Sequence, residues 1–267
     1  PTSGQIIIDG IDAIKNIKKV QRIIGIVPDE NNLYDEMNGF DNLCFCASLY
    51  GISIKEREKR AMELLEQFNL TKAGKRPFKT YSKGMKRKLT IAAGIIHNPK
   101  ILFLDEPTTG IDIESARQIR ELILDLKKQG KTIFITTHYI EEAERICDRI
   151  AFIVNGKIVK IGTVTELMES VEREHKIRLQ LDRSIKDIKE ELENNIENCR
   201  VEIPEENSCL VISKERIALS PILQLLDSKG ISVYEAKEIK PSLEDVFVKV
   251  TGIEASKLKK EKEKVGK

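Results

Sequence analysis

Two apolar runs constrain this chain most. Ile101–Leu104 leads straight into Asp105 and Glu106, with Pro107 next, and Lys131–Thr137 (KTIFITT) ends at His138. Such short runs, each delivering polar side chains at its carboxyl end, read as buried strands. Pro107 has no N–H to give a ladder and stops the first strand. An acidic pair at a strand tip suits magnesium–phosphate chemistry: one carboxylate can hold a hard cation, usually through water, and the other can accept a proton from an attacking water. Apolar strands ending in Asp-Glu also arise by chance, so the stretch alone is a weak signal.

Its surroundings strengthen it. Tyr81-Ser82-Lys83-Gly84-Met85 precedes a helical run over Lys86–His97. Ser82 is a good N-cap and Gly84 permits close backbone approach. Free N–H groups at a helix start can receive phosphate oxygens. With a helix following from Tyr139, Ser82, Asp105, Glu106 and His138 are expected to meet at one edge of a parallel sheet, where open α/β sheets place ligands.

Composition narrows the function classes. The 267 residues are 40% hydrophobic and 33% charged, ordinary for a globular protein. No apolar stretch approaches the ~18 residues that span a bilayer. Net charge is +2, and residues 257–267 alone hold six Lys and two Glu, so the rest is slightly acidic. That balance argues against a nucleic-acid-binding face. The basic cluster Lys72, Lys75, Arg76, Lys79, Lys83, Lys86, Arg87, Lys88 reads as a solvated face beside a phosphate site. The five cysteines (Cys44, Cys46, Cys147, Cys199, Cys209) are odd in number and lack C-x-x-C spacing, which argues against a disulfide frame or zinc ribbon. Reduced thiols suit the cytoplasm. His97, ahead of Asn98-Pro99, reads as a structural side chain satisfying helix carbonyls.

The coarse organisation is alternating. Gln5–Asp9 and Ile23–Val27 read as strands, and Asn38–Tyr50 and Ser53–Phe68 as helices. After the Asp105 strand come a helix over Ile113–Gln129, the Thr132 strand, another helix and a strand over Arg149–Val154. Asn155-Gly156 marks a hairpin turn. Short links between α and β predict a mainly parallel sheet. From Thr163 a connecting helix runs to Arg173, followed by strand Lys176–Leu181, helix Ser184–Asn195, hairpin Arg200–Ile203 with Cys209–Ser213, helix Ile217–Ser228 and strand Ile231–Ile239. That βαββαβ order predicts a small ferredoxin-like domain. Leu243, Val246, Phe247 and Val250 share one side of a last helix, and Ala255–Lys267 is expected to be disordered or only partly helical.

The order and spacing of these motifs resemble the nucleotide-binding subunit of an ATP-binding-cassette (ABC) transporter. Ser82–Met85 resembles the signature loop, Ile101–Glu106 the Walker B strand with its acid, Gly110-Ile111-Asp112 the D-loop and His138 the switch histidine. Gly25-Ile26-Val27-Pro28 leads into the position of the Q-loop. The resemblance implies an α/β ABC-type P-loop NTPase cassette over residues 1–162, with an α-helical subdomain at about 38–98. An accessory α+β domain over 163–252 and a charged tail over 253–267 follow. It further implies that ATP and Mg²⁺ are the cofactors. Asp105 would hold the metal through water, Glu106 would be the general base, and His138 would touch the γ-phosphate. Ser82, Lys83, Gly84 and Met85 would contact ATP bound to a second cassette, with Asp112 joining the two subunits. An integral membrane permease is the implied partner and nucleic acid is not. The location implied is cytoplasmic, peripheral at the inner face of the cell membrane. Tyr34 and Phe40 are either permease contacts or core.

Four features depart from the family pattern or refine it. No G-x-x-x-x-G-K-[ST] occurs, which predicts an amino-terminal truncation of roughly 40–50 residues and a chain that neither binds ATP tightly nor hydrolyses it. Asp29 stands where the family most often has glutamine. It is either a second metal ligand or part of a polar turn. Lys83 replaces a second glycine and Met85 a glutamine, as in some exporter subunits. The ending Pro241–Phe247 with Thr251-Gly252 resembles daunorubicin-resistance-type exporter subunits, implying efflux of a drug, lipid or other amphiphile. Alternatives are a soluble cassette ATPase acting on ribosome or DNA, or a non-enzymatic dimerisation module.

Overall fold

The computed structural model describes residues 2–30, 32–169, 174–196, 198–239 and 242–252. The chain divides between Ile146 and Cys147 into two compact units.

The first unit opens with a short hairpin, β1 (Ile7–Ile8) against β2 (Ile11–Asp12), antiparallel with Ile8 opposite Ile11. The strand expected at Gln5–Asp9 is thus cut to two residues, because Asp9 and Gly10 both turn into left-handed backbone (φ 49° and 75°). Helix α1 (Ile17–Ile23) leads directly into β3 (Ile24–Val27). Helix α2 (Gly39–Leu49) is capped by Asn38, whose side chain accepts from the Asp41 N–H at 2.8 Å. The buried Asn42 amide fixes the preceding loop, accepting from Tyr34 N (2.9 Å) and donating to the oxygens of Tyr34 (3.0 Å) and Asn38 (3.1 Å). Helix α3 (Ile54–Gln67) buries Ala61 and Leu65, and Phe68 follows them into the interior.

Helix α4 (Lys83–Ile95) starts three residues earlier than its periodicity suggested, so Lys83, Gly84 and Met85 form its first turn under the Ser82 cap. Then come β4 (Ile101–Asp105), α5 (Ile113–Lys128), β5 (Thr132–Thr136) and α6 (Ile140–Ile146). The strands form a parallel sheet in the order β3-β4-β5, with Ile24 opposite Ile101 and Leu104 opposite Ile135. Alternation sends Val27, Leu102 and Leu104 to a buried face, while Ile119, Ile123 and Leu126 of α5 are likewise buried. Helix α4 approaches β3 so closely that a Cβ on Gly25 would lie 2.2 Å from the carbonyl oxygen of Gly94. On the opposite face Ile26 and Phe134 are 61% and 55% exposed, in register through Phe103, whose ring lies 5.5 Å from that of Phe134.

His97 follows α4. Its Nε2 lies 2.8 Å from the Ile24 carbonyl oxygen, and its ring stacks on Tyr50 at 3.6 Å. It is structural, as expected, but it serves a strand carbonyl and joins the end of α2 to β3.

The second unit begins with the hairpin β6 (Ile150–Val154) and β7 (Lys157–Gly162), turned by Asn155 and Gly156 at φ 50° and 74°. Positive φ at both central residues is the twist-matched hairpin turn. Helix α7 (Val164–Glu169) follows, and the rest of its expected length lies outside the described residues. The elements β8 (His175–Leu181), α8 (Lys189–Asn195), β9 (Cys199–Glu205), β10 (Ser208–Ser213), α9 (Leu219–Ser228) and β11 (Val233–Ile239) complete βαββαβ. Helix α8 is shorter than expected, since Lys186–Ile188 forms a 3₁₀ turn. The four strands pair antiparallel in the order β11-β8-β10-β9, the ferredoxin-like arrangement. Leu179, Val211, Leu192, Ile222 and Leu226 form its core.

Helix α10 (Leu243–Thr251) is closed by a Ser242–Asp245 capping box at one end and left-handed Gly252 at the other. It buries Leu243, Val246 and Phe247, and the Phe247 ring meets Phe152 of the hairpin edge-on at 5.2 Å. The expected tail at Ala255–Lys267 lies outside the described residues. Among the described residues no helix is long and apolar enough to cross a membrane.

Candidate functional site

The carboxyl ends of β4 and β5 carry the chemistry. Asp105 ends β4 opposite Thr136, the last residue of β5, and its Oδ1 accepts from the Thr136 hydroxyl. Glu106 continues the ladder by one bond, donating its N–H to the Thr136 carbonyl at 3.0 Å, and then turns with φ 46°. A non-glycine residue in left-handed backbone is uncommon and marks a position held by its surroundings. The turn brings the buried Glu106 carboxylate to His138, two residues beyond the end of β5. Nδ1 of His138 lies 2.8 Å from Oε1 and 2.9 Å from Oε2. An ionised carboxylate only accepts, so Nδ1 carries the proton and Nε2 is left as the acceptor when the ring is neutral. The Thr109 hydroxyl donates to Glu106 Oε2 at 2.9 Å.

The basic cluster is not wholly a solvated face. Arg87 and Lys88, read from the sequence as part of a solvated face, are 5% and 8% exposed. Lys88 donates to the Gln118 side chain. Arg87 lies beneath the site. Its Nε donates to the Pro107 carbonyl at 3.1 Å and Nη1 to that of Asp29 at 3.2 Å, and further bonds reach the carbonyls of Pro28 and Asp105. Burial pushes the guanidinium pKa down, opposed by the charges of Asp29, Asp105 and Glu106. A guanidinium stays charged at neutral pH, and its planar fork of donors satisfies several carbonyls at once. Sequence reasoning missed this residue. Its only signal was the periodicity of α4, which places position 87 beside the buried Gly84 and Ile91.

The other candidates lie on neighbouring elements of the first unit, and their contacts are local. Ser82 accepts from Met85 N at 3.2 Å, while Lys83 is exposed on the same first turn. Gly84 faces the start of α5 and not the carboxylate pair: a Cβ there would lie 2.2 Å from Ser115 Oγ. Asp112 caps α5, accepting from Ser115 N at 2.8 Å and Ser115 Oγ at 2.7 Å, and the Ser115 backbone N–H holds its carboxyl below the usual range. Asp29 is exposed in the loop after β3, tied to the centre through its carbonyl. Tyr34 is 55% exposed with its ring edge-on to Phe45 at 5.2 Å, and Phe40 is half-buried.

Among the described residues no cluster of three or more His, Cys, Asp or Glu forms a metal cage. The exposed carboxylate of Asp105, at the tip of β4, fits a magnesium ion that takes one or two protein oxygens and fills its shell with water and phosphate, and Asp29 lies exposed in the loop after the adjacent strand β3.

Comparison with known proteins identifies the family. Residues 1–109 match the ABC transporter family, and residues 162–251 match the carboxyl-terminal domain of DrrA1-3-like ATP-binding proteins. The linearmycin resistance ATP-binding protein LnrL of Bacillus subtilis is 42% identical, over 62% of this chain and 53% of its own length. The chain therefore spans about half of that relative. The daunorubicin resistance ATP-binding protein DrrA3 of Streptomyces coeruleorubidus is 30% identical over 94% of this chain and 79% of its own. Among solved structures, a dimeric ATP-binding cassette in a post-hydrolysis state with ADP and Pi superposes with TM-score 0.55 at 27% identity, covering 61% of this chain and 75% of that one. The chain belongs to the ATP-binding proteins of the ABC transporter family, in the branch whose carboxyl-terminal domain is DrrA-like.

Proposed function

We propose that this cassette is the ATP-binding and hydrolysing subunit of an exporter that moves a drug, lipid or other amphiphile through a separate membrane permease. One observation carries the reading: the Glu106 carboxylate, turned out of its strand by left-handed backbone, meets the His138 imidazole beside Asp105. Glu106 acts as general base on the attacking water, and His138 orients that base and reaches the γ-phosphate. Mg²⁺ would be held by Asp105, with Asp29 a second oxygen donor, and would neutralise phosphate charge. Ser82, Lys83, Gly84 and Met85 present the start of α4 to ATP on a second cassette, and Asp112 joins the pair. The drug-resistance relatives support the cargo class, and the dimeric cassette bound to ADP and Pi supports the two-cassette arrangement. Tyr34, with Phe45 and Phe40, forms the permease contact at the inner membrane face.

The chain contains no G-x-x-x-x-G-K-[ST] sequence. Without that cradle the polyphosphate loses its principal N–H donors and lysine, so this chain by itself is inactive. Calorimetric titration of the chain with Mg-ATP tests this part, with no micromolar binding expected. In a version supplied with a phosphate-binding loop, Glu106→Gln should accumulate as an ATP-bound dimer in sedimentation velocity. Normal turnover by that variant would overturn the assignment of Glu106.

A further inference from the structure

Glu106 and His138 come from different segments, and the sheet fixes only one of them. Glu106 is still bonded to Thr136, but His138 lies two residues beyond the end of β5 and opens onto α6. Helix α6 has seven residues, too few to hold its own position in water. It needs an anchor, and a second carboxylate provides one. Glu142, four residues after His138, accepts through Oε2 from the hydroxyl of Thr108, which lies two residues after Glu106. Its Oε1 accepts from Nη1 of Arg120 on α5 at 2.6 Å. The Glu142 and Arg120 side chains are 14% and 19% exposed, and Thr108 is 8% exposed, so water competes little for these bonds. The two carboxylate oxygens therefore face in two directions, one onto the Glu106 segment and one onto a long helix of the unit.

We propose that Glu142 is a positioning residue for the Glu106–His138 pair: clamped between Thr108 and Arg120, it sets the spacing of the segments that carry base and imidazole. The role rests on reading that pair as the hydrolytic one. A buried ion pair is poor evidence of net stability; what argues for positioning is that Glu142, on the helix after His138, is bonded to Thr108 on the Glu106 segment and to Arg120 on α5. Shortening the side chain to Asp would leave one of the two partners out of reach.

The experiment reads geometry without nucleotide. The chain has three histidines, His97, His138 and His175, so ring ¹⁵N–¹H correlation spectra at neutral pH resolve each one, with His138→Gln giving the assignment. Glu142→Ala and Thr108→Val are each expected to move the His138 ring signals away from the pattern of an Nδ1–H held by carboxylate, leaving His97 and His175 in place. The swapped pair Arg120→Glu with Glu142→Arg should restore the pattern at least in part. If Glu142→Ala does not fold, Thr108→Val decides, because it deletes a single hydroxyl. Unmoved His138 signals in the folded variants, even with a lower melting temperature, would make Glu142 merely structural and overturn the proposal. Failure of the hydrolytic reading would look different: no turnover after a phosphate-binding loop is supplied, with the His138 signature intact.

Discussion

The Nε–H of Arg87 donates to the carbonyl oxygen of Pro107 across twenty residues of sequence. That bond ties the helix beginning at the Ser82 loop to the turn that follows the acidic pair. Arg87→Met would leave this carbonyl and that of Asp105 without a donor, and is expected to cost about 2–4 kcal/mol. Arg87→Lys should recover only part of the loss, because an ammonium cannot present a planar fork. Urea unfolding followed by circular dichroism measures both, and a loss within error for Arg87→Met would show that the carbonyls find other partners.

Helices α4 and α5 meet with no room for a side chain at Gly84. Gly84→Ala puts a methyl 2.2 Å from Ser115 Oγ and 2.6 Å from Ser115 Cβ. It should destabilise the first unit by about 1–3 kcal/mol. Because Ser115 Cβ clashes as well, Ser115→Ala should not rescue it, whereas Ser115→Gly should. Thermal unfolding of the two double variants separates these outcomes.

The Asp112 cap gives the first unit an acid sensitivity of known sign. The Ser115 backbone and hydroxyl bonds lower its folded pKa, so its contribution is complete above the ordinary carboxylate range and is lost as pH falls through the lowered folded value. Asp112→Asn keeps an N-cap acceptor but cannot titrate. The wild-type minus Asp112→Asn difference in melting temperature should therefore shrink as pH drops from neutrality into the acid range. A difference independent of pH would count against the cap as its source.

Cys209 is fully buried in the core of the second unit, and its thiol is pushed up to about 11 by desolvation. Thiolate is the reactive form. In native protein at pH 8, iodoacetamide should label the half-buried Cys44, Cys46 and Cys147 well before Cys209, which should react only on unfolding. Peptide mass spectrometry after timed quenching gives the order, and early labelling of Cys209 would show that the core opens readily.

Much of the architecture was legible because its signals are local. The apolar runs at Ile101–Leu104 and Lys131–Thr137 became adjacent parallel strands, Ser82 became an N-cap, and Asn155-Gly156 became a hairpin turn. The βαββαβ alternation after Thr163 predicted a ferredoxin-like domain, and the strand order β11-β8-β10-β9 is of that kind. The strand at Gln5–Asp9 is shorter than its isoleucines imply, because apolar residues do not reveal that Asp9 and Gly10 leave extended backbone. Arg87 was misplaced for a different reason: in a run of Lys and Arg, charge reads as solvation, and nothing local says that one guanidinium will find four carbonyl acceptors.

Sequence by itself determined the tips of the β4 and β5 strands, the Ser82 cap, the acidic pair and the imidazole, because spacing and residue type act within one element. Only the tertiary structure decided that His138 Nδ1 faces the Glu106 carboxylate, that Arg87 is interior and that Glu142 bridges Thr108 to Arg120. Those choices depend on which distant backbone oxygens and hydroxyls are left unpaired when helices pack on a sheet. A buried polar group takes whatever partner the packing leaves within reach.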